Sequence, residues 1–392
     1  MEFKESKLGE LCEIKIGRTP PRKEKEWFNT EEDCLKWVSI KDMGDCNKYI
    51  CKTSETVSKK GIDKFNIPII KKNTVILSFK LTIGRVAICN EDMISNEAIA
   101  QLPIKDITDL DYNYLYYYLK NYNYSELGNT SSIATAVNSK VLQDISVRYP
   151  SIDYQKKISH ILSNIDKKIE LNNKINNNLL EIITTLFNKT FTDISIYKRA
   201  DEIANITIGK TPPRNLQECF STNENDVKWV SISDLGKCGT YIYDTNEKLT
   251  NEAVEKYNVK VIPKDTIILS FKLTIGRIAI TNEEMATNEA IAHFNIYDKA
   301  MKYYLYMYLK NFDYGKLGST SSIATAVNSK IIKAMPIGIP NEITLMNYNE
   351  KVIPLFNQIK NNEMENITLI KLRDTLLPKF MKGEIDLDKI EI

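Results

Sequence analysis

Histidine is nearly missing from this chain of 392 residues. Only His160 and His293 offer an imidazole, which leaves little for a metal centre or a Ser-His-Asp set. Cysteine is present but odd in number. Cys12, Cys34, Cys46, Cys51, Cys89, Cys219 and Cys238 include no Cys-x-x-Cys pair, against both a disulfide framework and a zinc knuckle. A phosphate loop of the form G-x-x-x-x-G-K-[ST] is absent, and so is a strand leading into G-x-G-x-x-G. Both double prolines stand in Thr-Pro-Pro-Arg, so the Asn/Asp-Pro-Pro-aromatic motif of amino-methyltransferases is missing as well. No apolar run reaches the roughly 18 residues of a membrane span. The opening MEFKESKLGE carries no apolar signal core, and the expectation is a cytoplasmic chain. Excess charge of one sign is lacking too: 53 Lys and Arg against 51 Asp and Glu leave +2. Any nucleic-acid surface must then be a local basic patch with the acids on other faces.

What the chain does have is itself, twice. Thr130 to Lys140 returns letter for letter as Thr320 to Lys330, and Leu77-Ser-Phe-Lys-Leu-Thr-Ile-Gly-Arg85 returns as Leu269 to Arg277. Gly17-Arg18-Thr19-Pro20-Pro21-Arg22 is matched by Gly209-Lys210-Thr211-Pro212-Pro213-Arg214. There Gly and the double Pro force a loop, read as a solvated turn unless a ligand is shown. Trp37-Val-Ser-Ile-Lys-Asp42-Met-Gly44 pairs with Trp229 to Gly236, a strand entering a turn with Trp37 and Trp229 in the core. Leu8 to Ile16 alternates as a short strand, and Leu77 to Ile88 reads as a hairpin or bent strand with Gly84 at the bend. Tyr112 to Tyr124, repeated at Tyr303 to Tyr314, has helical spacing. A half-buried core helix is the simpler reading there, and stacking on bases the sharper one. Glu97 and Glu289 recur within Asn-Glu-Ala and are read as structural.

Each repeat closes at Pro150 or Pro340, and a long apolar stripe follows. In the first, Ile158, Ile161, Leu162, Ile165, Ile169, Ile175, Leu179, Ile182, Ile183 and Leu186 share one helical face. A helix of about 39 residues would span roughly 58 Å. The second stripe, from Asn341 to Met381, contains Pro354, expected to kink it or mark its first turn. Asn172 and Asn362 interrupt the stripes at matching positions, either as a buried register lock or as solvated positions.

This order of globule, long helix, globule, long helix resembles the specificity subunit of type I restriction-modification systems. The most specific part is Arg373-Asp374-Thr375-Leu376-Leu377-Pro378, similar to that family's arginine-aspartate-x-leucine-leucine-proline ending. The first helix lacks it, reading Ile183 to Phe191 instead. The resemblance implies an α+β chain with two tandem target recognition domains, residues 1–150 and 193–340. Long helices at 151–192 and 341–392 would pack as an antiparallel coiled coil with pseudo-twofold symmetry, acting as a ruler between half-sites. It further implies a non-catalytic subunit that binds double-stranded DNA and two modification (methyltransferase) subunits, joined by two restriction subunits in the larger assembly. S-adenosylmethionine, ATP and Mg would belong to those partners, and this chain itself would hold no cofactor or metal and meet no membrane. The alternative is a repeat-built coiled-coil scaffold without a DNA role.

The repeated polar side chains are the candidate DNA contacts, being of the types that bond base edges and phosphates. In the first repeat they are Arg18, Arg22, Lys80, Thr82, Arg85, Ser131, Ser132, Thr135, Asn138 and Lys140. In the second they are Lys210, Arg214, Lys272, Thr274, Arg277, Ser321, Ser322, Thr325, Asn328 and Lys330. Loops between them have drifted, as Lys23 to Asp33 shows beside Asn215 to Asp226. Near-identity of the polar segments against that drift predicts that both domains read the same half-site, making the whole site an inverted repeat.

Overall fold

A computed structural model describes residues 2–29, 33–128, 138–317 and 327–387. The chain forms two compact units. One comprises Met1–Ile169 with Thr368–Ile392, and the other Glu170–Ile367. Each draws on both long helices, so the packing unit and the sequence repeat are different divisions of the chain.

The first unit is built on a five-stranded sheet ordered Lys15–Ile16, Ile99–Leu102, Val75–Ser78, Val86–Cys89, Tyr49–Ile50. Its three central strands are buried at every position, which is why they read as unbroken apolar runs rather than alternating ones. One face carries Val75, Leu77, Val86 and Ile88 into a core with Tyr114, Leu115 and Leu119. The other packs Ile76, Ala87 and Cys89 on Val38, Met43 and Ile70. A second sheet, Glu55–Ser58, Cys34–Val38, Ile94–Ser95, holds Trp37 in its own cluster with Val57 and Ile62. The other unit repeats the plan. Its five strands are Ala204–Ile208, Ile291–Ile296, Ile267–Ser270, Ile278–Thr281 and Tyr241–Ile242, and Trp229 is buried beside Leu249 and Val259.

Three local expectations change. Leu8–Leu11 is a helical turn between the strands Lys4–Lys7 and Lys15–Ile16, because Leu8 is drawn into the core and the Leu8 amide bonds the Ile145 carbonyl. The Trp-containing strand enters a helix, Ile40–Asp45, rather than a bare turn. The Asp of its motif makes that start: the Asp42 carboxylate accepts from the Ser39 amide at 2.8 Å while Ser39 Oγ accepts from the Asp42 amide, a reciprocal cap repeated by Ser231 and Asp234. Third, Pro354 lies inside the helix Glu342–Lys382. Val352, Phe356 and Ile359 around it are fully buried, and that packing carries the helix past a residue that removes a backbone donor. The tyrosine segment Tyr112–Asn121 is a core helix, with Tyr114, Tyr116 and Tyr117 buried.

The first long helix runs from Ile152 to Thr190. In the first unit its Ile158 and Leu162 share a core with Leu377, Phe380 and Met381 of the second long helix. Asp166 accepts from the Tyr117 hydroxyl at 2.6 Å and from Arg373 at 2.9 Å. Lys48 beside them is buried, donates to Ser163 Oγ at 2.7 Å and lies over the Tyr117 ring. Burial pulls its ammonium down to about 8, against the pull of Asp166. In the second unit the place of Arg373 is taken by the buried Ile183, which with Phe187 meets Tyr348, Val352 and Phe356.

Asn172 and Asn362 prove to be buried in the second unit, along with Asn176 and Asn366. Asn172 Nδ2 donates to Asn366 Oδ1 at 2.9 Å, and Asn362 Nδ2 to Asn176 Oδ1 at 2.8 Å. As residue numbers rise on one helix they fall on the other, so the two segments are antiparallel there. Amides at these points admit one register and penalise slippage. Replacing Asn366 by Leu removes its bonds with Asn172 and Asn173 and leaves the buried Asn172 amide its bond to Glu365, and should lower stability by roughly 0.5–1.5 kcal/mol in reversible denaturant unfolding. An unchanged midpoint would refute the lock.

Glu363 in this unit accepts from the amides of Thr240 and Tyr241 at 2.7 and 3.1 Å. Burial pushes its carboxyl up to about 7 despite those bonds. The folded state therefore holds a proton that the unfolded chain releases near its ordinary carboxyl range, so stability falls as pH rises from about 4.5 to 7. The expected result is a falling melting temperature across that window that flattens in Glu363→Gln. An equal slope in both proteins would contradict it.

Candidate nucleic-acid interface

Three loops meet at one edge of each five-stranded sheet. In the first unit, Gly17 to Arg22 leaves the edge strand, Phe79 to Arg85 links two central strands, and Asn96 to Ala98 precedes a third. Gly17 is required because a Cβ there would occupy the space of the Ser95 and Asn96 carbonyls, and Gly209 meets Thr287 and Asn288 in the same way. The indole of Trp37 donates to the Arg18 carbonyl at 3.3 Å, and Trp229 to that of Lys210 at 3.2 Å. Thr19 then donates to Glu97, and Thr211 to Glu289. Burial alone would push the Glu97 carboxyl up. The Thr19 hydroxyl, its own backbone amide and the charges of Lys80 and Arg22 hold it below the usual range.

The candidate side chains divide by what they touch. Arg22 donates to both carboxylate oxygens of Glu55, at 2.8 and 2.9 Å, over the rings of Phe28 and Trp37. Arg214 does the same with Glu247, Phe220 and Trp229. Arg85 bonds the Ile40 carbonyl at 2.5 Å and lies on Gly44, and Arg277 bonds that of Ile232 at 2.7 Å against Gly236. Asn138 caps the helix Ser139–Gln143 through the amides of Lys140 and Val141, and Asn328 caps Ser329–Lys333. These six are engaged within their unit, although Arg22, Arg214, Asn138 and Asn328 are also exposed. Facing solvent are Arg18, which reaches the Phe65 carbonyl at 3.2 Å, with Thr82, Lys140, Lys210, Lys272, Thr274 and Lys330. Lys80 is half-buried along the Phe79 ring. Ser131, Ser132, Thr135, Ser321, Ser322 and Thr325 lie outside the described residues.

Residue composition did not mark Thr19 or Glu55 as part of this edge. The signal available was spacing: Arg22 and Glu55 stand 33 residues apart, as do Arg214 and Glu247, and both Thr–Glu pairs stand 78 apart. The edge offers outward ammonium, guanidinium and hydroxyl donors on a fixed frame, suited to phosphates and base edges. Among the described residues no group of His, Cys, Asp and Glu is placed to hold a metal. His293, bonded between Thr207 and Thr287, is pulled by burial down to about 4. Gly17→Ala should displace the Thr-Pro-Pro loop and cost roughly 1–3 kcal/mol, with faster amide exchange in Asn96 to Ala98. Wild-type exchange there would show that the close approach does not hold the loop.

A family model described as the type I restriction modification DNA specificity domain matches residues 1–181 and 196–369. The chain is 26% identical to the type I restriction enzyme MjaIX specificity subunit of Methanocaldococcus jannaschii, over 99% of this chain and 98% of that one. It is 27% identical to the HindI specificity subunit of Haemophilus influenzae, over 48% of this chain and 41% of that one. The crystal structure of a type I restriction-modification S subunit from M. genitalium superposes with a TM-score of 0.58 at 16% identity, covering 97% and 96% of the two chains.

Proposed function

The chain belongs to the type I restriction modification DNA specificity family, and we propose that its two units read the two like halves of a bipartite, inverted-repeat DNA site. Its role is DNA sequence recognition rather than catalysis, which leaves the scaffold alternative without support. The observation behind equal half-sites is the recurrence of one frame in both units. Each has the same glycine against the same carbonyls, the same Thr–Glu bond and the same stacked, paired arginine. Each carries the same loop, Lys80 to Arg85 or Lys272 to Arg277. Side chains held in one geometry by one frame meet one pattern of donors and acceptors.

As a subunit of a restriction-modification system the chain works with DNA and the system's other subunits. We assign it two modification subunits that methylate adenine and two restriction subunits that translocate DNA. S-adenosylmethionine, ATP and Mg belong to those partners. The assembly works in the cytoplasm, and no helix among the described residues is long and apolar enough to cross a membrane. Within each unit Arg18 or Lys210, Lys80 or Lys272, Thr82 or Thr274, and Lys140 or Lys330 meet the DNA. Arg22, Arg85, Asn138 and their counterparts Arg214, Arg277 and Asn328 position them. The serines and threonines of the two identical Thr-to-Lys segments complete the set.

The test is binding of the chain, assembled with its modification subunits, to its site over a range of salt. Lys80→Ala and Lys272→Ala should each weaken binding and reduce the slope of log K against log salt by about 1. Wild-type slopes in both variants would remove these lysines from the phosphate contacts. Salt-independent binding would count against a DNA-reading edge.

A further inference from the structure

Eight non-glycine residues among those described adopt a left-handed backbone, and six of them are Asn or Asp: Asn29, Asp33, Asn66, Asn73, Asn258 and Asp265. Those are the side chains that tolerate this conformation. The two exceptions are Leu81 and Leu273, each with φ of +62°, at equivalent positions of the repeated loop. They are also 97% and 95% exposed. Leucine here gains no burial and bears backbone strain, and both copies retain it. Nothing in the packing of either unit calls for it.

The tip is held rather than loose. Ser78 Oγ donates to the Thr82 carbonyl at 2.6 Å and accepts from the Arg85 amide at 3.0 Å, and the Gly84 amide bonds the Ser78 carbonyl at 3.0 Å. Ser270, Thr274, Gly276 and Arg277 make the same bonds. Gly84 and Gly276 are left-handed as well, at +89° and +91°, and lie against Tyr124 and Tyr314. The scaffold thus presents one apolar side chain, with a partly exposed isoleucine two residues on (Ile83 or Ile275). Lys80 or Lys272 and Thr82 or Thr274 flank it.

We propose that Leu81 and Leu273 are wedges that enter the base stack of the half-site each unit reads. The proposal rests on the DNA-reading function given above. A single projecting aliphatic group is far smaller than the area a stable protein–protein contact needs. It suits the gap opened between adjacent base pairs, where apolar side chains partly unstack a step while neighbouring cations hold the backbone. The left-handed backbone is then the device that thrusts the side chain off the loop, with its strain offset by contacts made only in the complex. The wedge also adds a specificity term, because pyrimidine–purine steps open more easily than others.

The experiment uses the full chain with its modification subunits and duplexes bearing its mapped site. 2-Aminopurine is placed singly at non-target positions of each half-site, so that extrusion of the methylated adenine is not what is read. Leu81→Asn and Leu273→Asn keep a side chain suited to the left-handed backbone and remove the apolar group, so the fold and melting temperature should survive. Wild-type complex should raise the fluorescence at one step in each half-site. Leu81→Asn should abolish the rise in one half-site only, Leu273→Asn in the other, each weakening binding about tenfold. Wild-type binding with no fluorescence rise at any position, or a rise and affinity unchanged in both variants, would overturn the wedge while leaving DNA recognition intact. A wild-type complex that does not bind the duplex would take down both.

Discussion

Neither globule closes its own core. The core of the first unit includes Ile158 and Leu162 of one long helix and Leu377, Phe380 and Met381 of the other. The second unit takes Ile183 and Phe187 from the first helix and Tyr348, Val352, Phe356 and Ile359 from the second. Burying such side chains is the dominant favourable contribution to folding, and in each unit both helices supply part of it. The arginine-aspartate-x-leucine-leucine-proline ending owes its residues to this demand. Arg373 reaches Asp166, and Leu376 and Leu377 dock on the core of the first unit. The first helix has no such ending because its corresponding stretch meets an aromatic core, where Phe187 and Phe191 pack on Tyr304 and Tyr348.

On that foundation the loop edge divides into side chains engaged within the unit and side chains that face outward. Charges in the frame are satisfied internally: the Arg22 guanidinium is paired and stacked, and Glu97 is held by a hydroxyl, an amide and nearby cations. Arg22, Arg214 and Lys228 are among the cations matched by carboxylates, while Arg18, Lys210 and Lys272 are exposed. A preorganised edge spends little entropy on ordering when it meets its ligand.

The repeat, the long helices, the buried tryptophans and the tyrosine helix were all legible, because periodicity and duplication are properties of the sequence itself. Asn172 and Asn362 were legible as alternatives only, since burial decides between a lock and a solvated break. Leu8–Leu11 was misread because four residues cannot distinguish a turn of helix from a strand when the core recruits Leu8. Pro354 was legible only as alternatives, and it does not mark the first turn, since packing carries the helix on both sides of it. At the loop edge the repeat singled out residues, but what each of them touches was not legible. Arg18 and Arg22 look alike in sequence, and a carboxylate 33 residues beyond Arg22 separates the ion-paired guanidinium from the one that reaches a backbone carbonyl.

The central claim is that equal frames read equal half-sites. It is tested most directly by mapping methylated adenines in DNA from a methylation-free host that expresses this chain with its modification subunits. The account predicts a bipartite motif whose halves are the same sequence in inverted orientation about an unread spacer. A bipartite motif with unlike halves would contradict it and move base reading to the diverged loops around Lys23 to Asp33 and Asn215 to Asp226.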